Sequence, residues 1–203
     1  VVTYNEQRAR EIEEDYKLFC SQVYVIPPRD LIFFSADLQG NAIIAERMKA
    51  FAALYQNEAK VIITTMDALM SAAVPFEQLM SHVIKLKEGD ELDLEKLKHD
   101  LTVMGYERVG RVEEPGQFTV HGGIADVYPL TMEVPVRIEL WGDEIDTIRC
   151  FEPQSQRSMD QIECVSVFPA AEVIADDTAR RRAVGMLSLI HISEPTRLQL
   201  ISY

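Results

Sequence analysis

The stretch GYERVGRVEEPGQFTVHGGIADVYPLTMEVPVRIELWGDEIDTIRCF, residues 105–151, decides the fold. Gln117, Thr119 and His121 alternate with Phe118 and Val120, the period-two pattern of a strand with one wet and one dry face. Gly122-Gly123 predicts a two-residue hairpin turn, because the turns that suit right-twisted strands need positive φ. The return strand covers 124–128 and stops at Pro129. Val136, Ile138 and Leu140 then face one way, and Arg137, Glu139 and Trp141 the other. Gly142-Asp143 predicts a second tight turn, and Glu144–Phe151 alternates again. The reading is an antiparallel meander of four or five strands with one apolar and one charged face.

Upstream the rhythm is different. Val1-Val2-Thr3 reads as the end of a buried strand, as if the chain began inside a domain. Thr3 and Glu6 have capping-box spacing, and Ile12, Tyr16 and Phe19 mark one face of a helix to about Cys20. Val23–Ile26 is a short strand ended by Pro27-Pro28, and 31–34 is a second apolar run. Residues 42–55 predict a helix with Ile44, Met48, Phe51 and Tyr55 on one face. Val61-Ile62-Ile63 is a continuous apolar run, as in a strand of a parallel sheet buried on both faces. A short helix through Met70 follows. This is the rhythm of an α/β layer. Pro75 marks the change of style. A strand over 82–87, a Gly89-Asp90 turn and a helix with Leu94, Leu97, Leu101 and Met104 on one face lead to Gly105 at its C′ position. Downstream, 164–168 reads as a strand and 171–186 as a solvated helix.

A net charge of −13 and a pI near 4.7 argue against a general nucleic-acid binder, which needs clustered Lys and Arg. Three widely spaced cysteines, with no CxxC and no Cys/His cluster, read as reduced, mostly buried thiols of a cytoplasmic protein. No apolar run reaches the length needed to span a bilayer. Neither GxxxxGK[ST] nor GxGxxG occurs, and neither does GxSxG or HExxH, so the residues offer no phosphate cradle and no catalytic motif. What stands out is the polar face of the meander: Arg108, Arg137 and Glu139, with Thr119 and His121 on a strand expected between them. Residues alone leave two readings open, a plain solvated sheet face or a docking surface using the planar guanidinium fork.

Several segments resemble the N-terminal region of the bacterial transcription-repair coupling factors: VVTYNEQRAREI, VIITTMDALM, LKEGDELDLEKLKHDL, GYERVGRVEEPGQFTVHGG, PVRIELWGDEIDTIR, FEPQSQRS and VFPAAE, spread over 1–186. That region is in turn similar to the first domains of the excision-repair subunit UvrB. The resemblance implies an α/β fold class: a partial, degenerate RecA-like layer over 1–74, an inserted α+β UvrA-interaction domain over 75–155, and a return to the layer over 156–186. Residues 187–203, which include LSLIHISEPTR, resemble a translated sequencing adapter and are expected to carry no function. A UvrB fragment is the nearest rival, but the compact 25–34 segment has no room for the tyrosine-rich hairpin of that family.

The resemblance also implies a role. The parent would be an ATP-driven DNA translocase that displaces stalled RNA polymerase and recruits UvrA. The motor, with ATP and Mg, and the contacts to polymerase and duplex DNA would lie outside this chain, which would need no cofactor of its own. Arg108 of Tyr106-Glu107-Arg108, and Arg137 and Glu139 of the Arg-Ile-Glu strand, match UvrA-contacting positions. Two further contacts fall on Thr119 and His121, where the UvrB pattern has arginines. Truncating Arg137 is then expected to weaken docking and leave the fold intact. Retained ATPase activity, or duplex binding through Arg108, Arg111 and Arg137, are the rival readings.

Overall fold

The structure, a computed structural model, describes residues 1–29, 38–71 and 74–174. The apolar run at 31–34, the adapter-like tail and the part of the expected 171–186 helix beyond Ile174 lie outside these residues. The first layer contains β1 (Val2–Thr3), α1 (Glu6–Lys17), β2 (Val23–Ile26), α2 (Leu38–Tyr55), β3 (Val61–Thr65) and the short helix α3 (Met66–Met70). The three strands form a parallel sheet in the order β1-β3-β2. Val25 and Ile63 are buried in its middle, with Ala9 of α1 against them. The continuous apolar run of β3 follows from that position, because helices cover a parallel sheet on both faces. β1 is an edge strand, and Val2 is half exposed rather than buried as its sequence suggested.

Two local expectations for α1 fail. Its N-cap is Asn5, whose side chain accepts from the Arg8 N–H at 2.8 Å. Thr3 is committed to β1 and donates to the Asn5 carbonyl instead. The helix stops at Lys17, and Tyr16 and Phe19 are exposed. It is tied to α2 by a two-pronged ion pair from Arg10 to Glu46.

The second body holds the stretch that opened the sequence reading. α4 (Phe76–Met80), which the sequence reading missed, precedes β4 (Ile84–Lys87) and α5 (Leu94–Val103). Asp93 caps α5 by accepting from the Glu95 and Lys96 N–H groups. At the other end Tyr106 N–H bonds the Leu101 carbonyl and Gly105 N–H bonds that of Thr102, the Schellman arrangement. It needs Gly105 at φ 91°. Then come β5 (Glu107–Arg108), β6 (Gln117–His121), β7 (Ile124–Val127), β8 (Val136–Trp141), β9 (Glu144–Phe151), β10 (Ser158–Gln161) and β11 (Cys164–Val167).

Six of these form one sheet, β10-β9-β8-β7-β6-β5, antiparallel except for the β5–β6 pair. Its dry face carries Phe118, Ile138 and Ile148, fully buried under Leu97 and Leu101 of α5 and a β4–β11 ribbon. Truncating one such side chain to alanine costs about 2–5 kcal/mol. β10 and β11 correct one further expectation. Both hydrogen-bond to this body, to β9 and β4, past residue 156 where the return to the first layer was placed. The chain meets that layer at 168–172. Phe168 packs with Met48 of α2, the Tyr106 hydroxyl donates to the Phe168 carbonyl at 2.7 Å, and Glu172 accepts from both Arg29 and Arg47.

Among the described residues no helix is long and apolar enough to cross a membrane. The three thiols are free. Cys150 is buried, but Cys20 is half-buried and Cys164 exposed, so "mostly buried" was too strong.

Candidate functional site

The wet face of the six-stranded sheet is set by register. The two-residue turn at Gly122-Gly123 pairs His121 with Ile124 and Thr119 with Asp126. Asp126 in turn lies opposite Arg137, and Ile124 opposite Glu139. Across β8–β9, Arg137 faces Arg149 and Glu139 faces Thr147. Side chains paired across strands share a face. Two rows therefore cross the sheet: Thr119, Asp126, Arg137 and Arg149, and beside them His121, Ile124, Glu139 and Thr147. Trp141, two residues beyond Glu139 on β8, is the most exposed large apolar side chain of the sheet, at 84%.

At the centre is an ion pair. Arg137 Nε and Nη2 each donate at 2.8 Å to one oxygen of Asp126. Nη2 also reaches Gln156 Oε1 at 3.4 Å, and the guanidinium lies over the Phe151 ring, 4.8 Å from its centroid. The hydrogen bonds it donates to Asp126, opposed by burial, hold the Arg137 pKa above its ordinary range, so the group is a permanent cation. The Asp126 side chain is 8% exposed and that of Arg137 is 21%. Beyond Phe151, a loop lays Val112 and Val109 over Tyr128 and closes that end of the face with a small apolar cluster.

The five expected residues separate. His121 is exposed and hydrogen-bonded to the Thr119 hydroxyl at 2.9 Å. Thr119 itself is buried. Glu139 is half-buried and accepts from the Thr147 hydroxyl at 3.4 Å. Arg108 is exposed on edge strand β5, where its register partner is Phe118 of the dry face. It is out of step with Thr119 and leaves the sheet at a different edge of the surface. The strand carrying Thr119 and His121 does lie between those of Arg108 and Arg137, as expected, with β7 also intervening between β6 and β8. Arg137 is held by Asp126 within the sheet as well as partly exposed, so its truncation is expected to cost stability.

Sequence reasoning missed Asp126 and Arg149. Asp126 was within reach: counting back from a two-residue turn pairs 119 with 126. Arg149 was not. The same count from Gly142-Asp143 pairs Trp141 with Glu144, and an unbroken ladder would set Ile148 opposite Arg137. An irregularity between Glu139 and Leu140 shifts the register, with the extra residue in β9, and brings Arg149 there instead. Among the described residues no group of three His, Cys, Asp or Glu side chains could hold a metal ion. The surface is built from paired and half-paired charges on a rigid sheet, which suits recognition of another protein surface.

Residues 84–172 match the family described as UvrB interaction domain. The chain is 36% identical over 180 residues to a transcription-repair-coupling factor of Staphylococcus haemolyticus, an alignment covering 87% of this chain and 15% of that protein. It is 32% identical over 183 residues to one of Staphylococcus aureus, covering 89% and 16%. It is 31% identical over 186 residues to one of Bacillus subtilis, covering 91% and 16%. The chain thus spans about a sixth of the length of the curated relatives it matches.

Proposed function

We propose, from the premise that this homologue of the transcription-repair-coupling factors carries a UvrB interaction domain at residues 84–172, that the chain recruits UvrA through the wet face of its six-stranded sheet. The observation that carries the reading is the family match falling on the sheet whose wet face holds Arg137, Glu139 and His121 in fixed register. Rigid strands fix the spacing of these charges, so little conformational freedom is lost on docking. Arg137 is already desolvated and oriented by Asp126. Glu139 and His121 sit in the adjacent row with room for a partner's charges. Trp141 and Ile124, exposed at the turn end, add apolar area of the kind enriched in interface centres. Arg108, exposed on edge strand β5 and in register with a dry-face residue, would contribute only from the rim.

In this reading the parent acts in transcription-coupled nucleotide excision repair in the cytoplasm. It displaces stalled RNA polymerase with an ATP- and Mg-dependent motor on duplex DNA, and this chain is its adaptor to UvrA. A domain boundary at about 75 belongs to the same proposal, with 158–167 contributing strands to the docking body.

The test is competition. A UvrA–UvrB complex is challenged with the full chain, and UvrB release is followed by size-exclusion chromatography. Displacement of UvrB in proportion to added chain is expected. A folded chain that leaves the complex intact at large excess overturns the proposal.

A further inference from the structure

We infer that Arg149, on β9, is a further docking residue that receives a carboxylate side chain of the partner; this rests on the UvrA-docking reading above. Arg149 lies directly opposite Arg137 in the β8–β9 ladder, with Gln161 of β10 on its other side. Like charges facing each other across strands are unfavourable unless an anion answers each of them. Asp126 answers Arg137, with both carboxylate oxygens engaged. Nothing answers Arg149. Among the described residues it forms neither an ion pair nor a side-chain hydrogen bond, and its Nε is buried with no acceptor.

Two carboxylates that bond to its neighbours in the sheet are themselves engaged. Glu139 takes the Thr147 hydroxyl. Glu88 takes the Gln161 amide at 2.8 Å and the Ile148 N–H at 3.4 Å. Arg149 thus lacks an ion-pair partner among the described residues on a chain of net charge −13. The site is a local deficit of negative charge on an acidic molecule, and the rest of Arg149 remains half-exposed. A guanidinium presents five donors in a planar fork, and a carboxylate satisfies two of them at once. An aspartate or glutamate of the partner placed against Arg149 would complete a row of anion, cation, cation and anion across the sheet.

A group kept for a partner at the expense of the free fold has a diagnostic signature. Replacing it with an apolar side chain of similar length relieves the orphaned donor and the like-charge contact, so the free protein gains while the complex loses. Arg149→Met in the full chain is therefore expected to melt at the wild-type temperature or above and to bind UvrA about thirtyfold more weakly in calorimetric titration. Arg149→Lys keeps a point charge without the fork and is expected between the two. If the wild-type chain itself does not bind UvrA, the docking reading falls and this inference with it. If the wild type binds and Arg149→Met binds equally well, the inference alone is overturned. It is overturned too if Arg149→Met melts well below wild type while Arg149→Lys binds normally, since Arg149 would then serve the fold.

Discussion

Removing the Arg137 side chain separates the two roles that the sequence had merged. In Arg137→Ala, Asp126 keeps its place on β7, 6% exposed, with no cation against it. Breaking a buried pair from one side costs about 3–5 kcal/mol because the remaining charge stays stranded. Arg137 is 21% exposed at its side chain, so water reaches part of the vacated space and the lower end applies. Loss of the stack on Phe151 adds about 0.5–1 kcal/mol. A total of about 3.5–4 kcal/mol is a large share of a typical 5–15 kcal/mol. At about 2–4 °C per kcal/mol for a chain of this size, the melting temperature falls by about 7–16 °C. Urea unfolding followed by far-ultraviolet circular dichroism measures it, with an unchanged slope marking a true stability change. Arg137→Ala combined with Asp126→Ala should recover about 1–2 kcal/mol of the loss, since the stranded charge is gone. A single variant within about 0.5 kcal/mol of wild type, the range of ordinary surface substitutions, would refute the reasoning. So would a double variant no better than the single one.

Three other outcomes are expected. Burial alone would raise the Glu172 carboxyl pKa, but hydrogen bonds from Arg47 and Arg29 outweigh it and hold the group below its ordinary 4.5. A group depressed in the fold contributes stability above its unfolded pKa and loses it as pH falls through the folded one. The wild type should therefore lose stability below about pH 4.5, and Glu172→Gln should flatten that acid limb in pH-dependent melts while costing about 2–4 kcal/mol at pH 7. Gly105→Ala forces a Cβ to 2.6 Å from that of Ala171 at φ 91°, and should destabilise by about 2 kcal/mol or more in thermal melts. Tyr106→Phe leaves the buried Phe168 carbonyl without its 2.7 Å donor, and should cost about 1–2 kcal/mol in urea unfolding.

The meander was legible because each of its signals is local. Alternation, the Gly122-Gly123 and Gly142-Asp143 turns and the Gly105 stop are each set within a few residues, and the strands fall where these signals put them. The parallel layer was legible for a different reason. A run such as Val61-Ile62-Ile63 is apolar on both sides only when both sides are covered. Features that depend on distant partners were not legible. Thr3 reads as a helix cap until β3 claims it. Tyr16 and Phe19 continue the spacing of an apolar face, but α1 ends before it can bury them. α4 is too short to show a period. β10, Ser158–Gln161, is polar and exposed throughout, so nothing in its composition marks it as a strand. It exists because the exposed edge of β9 offers unpaired backbone groups.

The proposed docking face was half legible for the same reasons. Residue type and alternation single out Arg137, Glu139 and His121. They do not reveal that Thr119 is covered, that Arg137 is held by Asp126, or that a one-residue irregularity brings Arg149 into the central row. That irregularity has no glycine or proline to announce it. It sits within Glu144–Phe151, whose sequence alternates well enough to conceal it.

The most direct test of the account is a calorimetric titration of UvrA with the full chain, run beside Glu139→Arg. Glu139 is half-buried with only a 3.4 Å contact to Thr147, so reversing its charge spares the fold and alters the face. The account requires saturable one-site binding by the wild type, weakened by added salt and lost in the variant. A folded wild-type chain that gives no binding, or a variant that binds equally well, would contradict it.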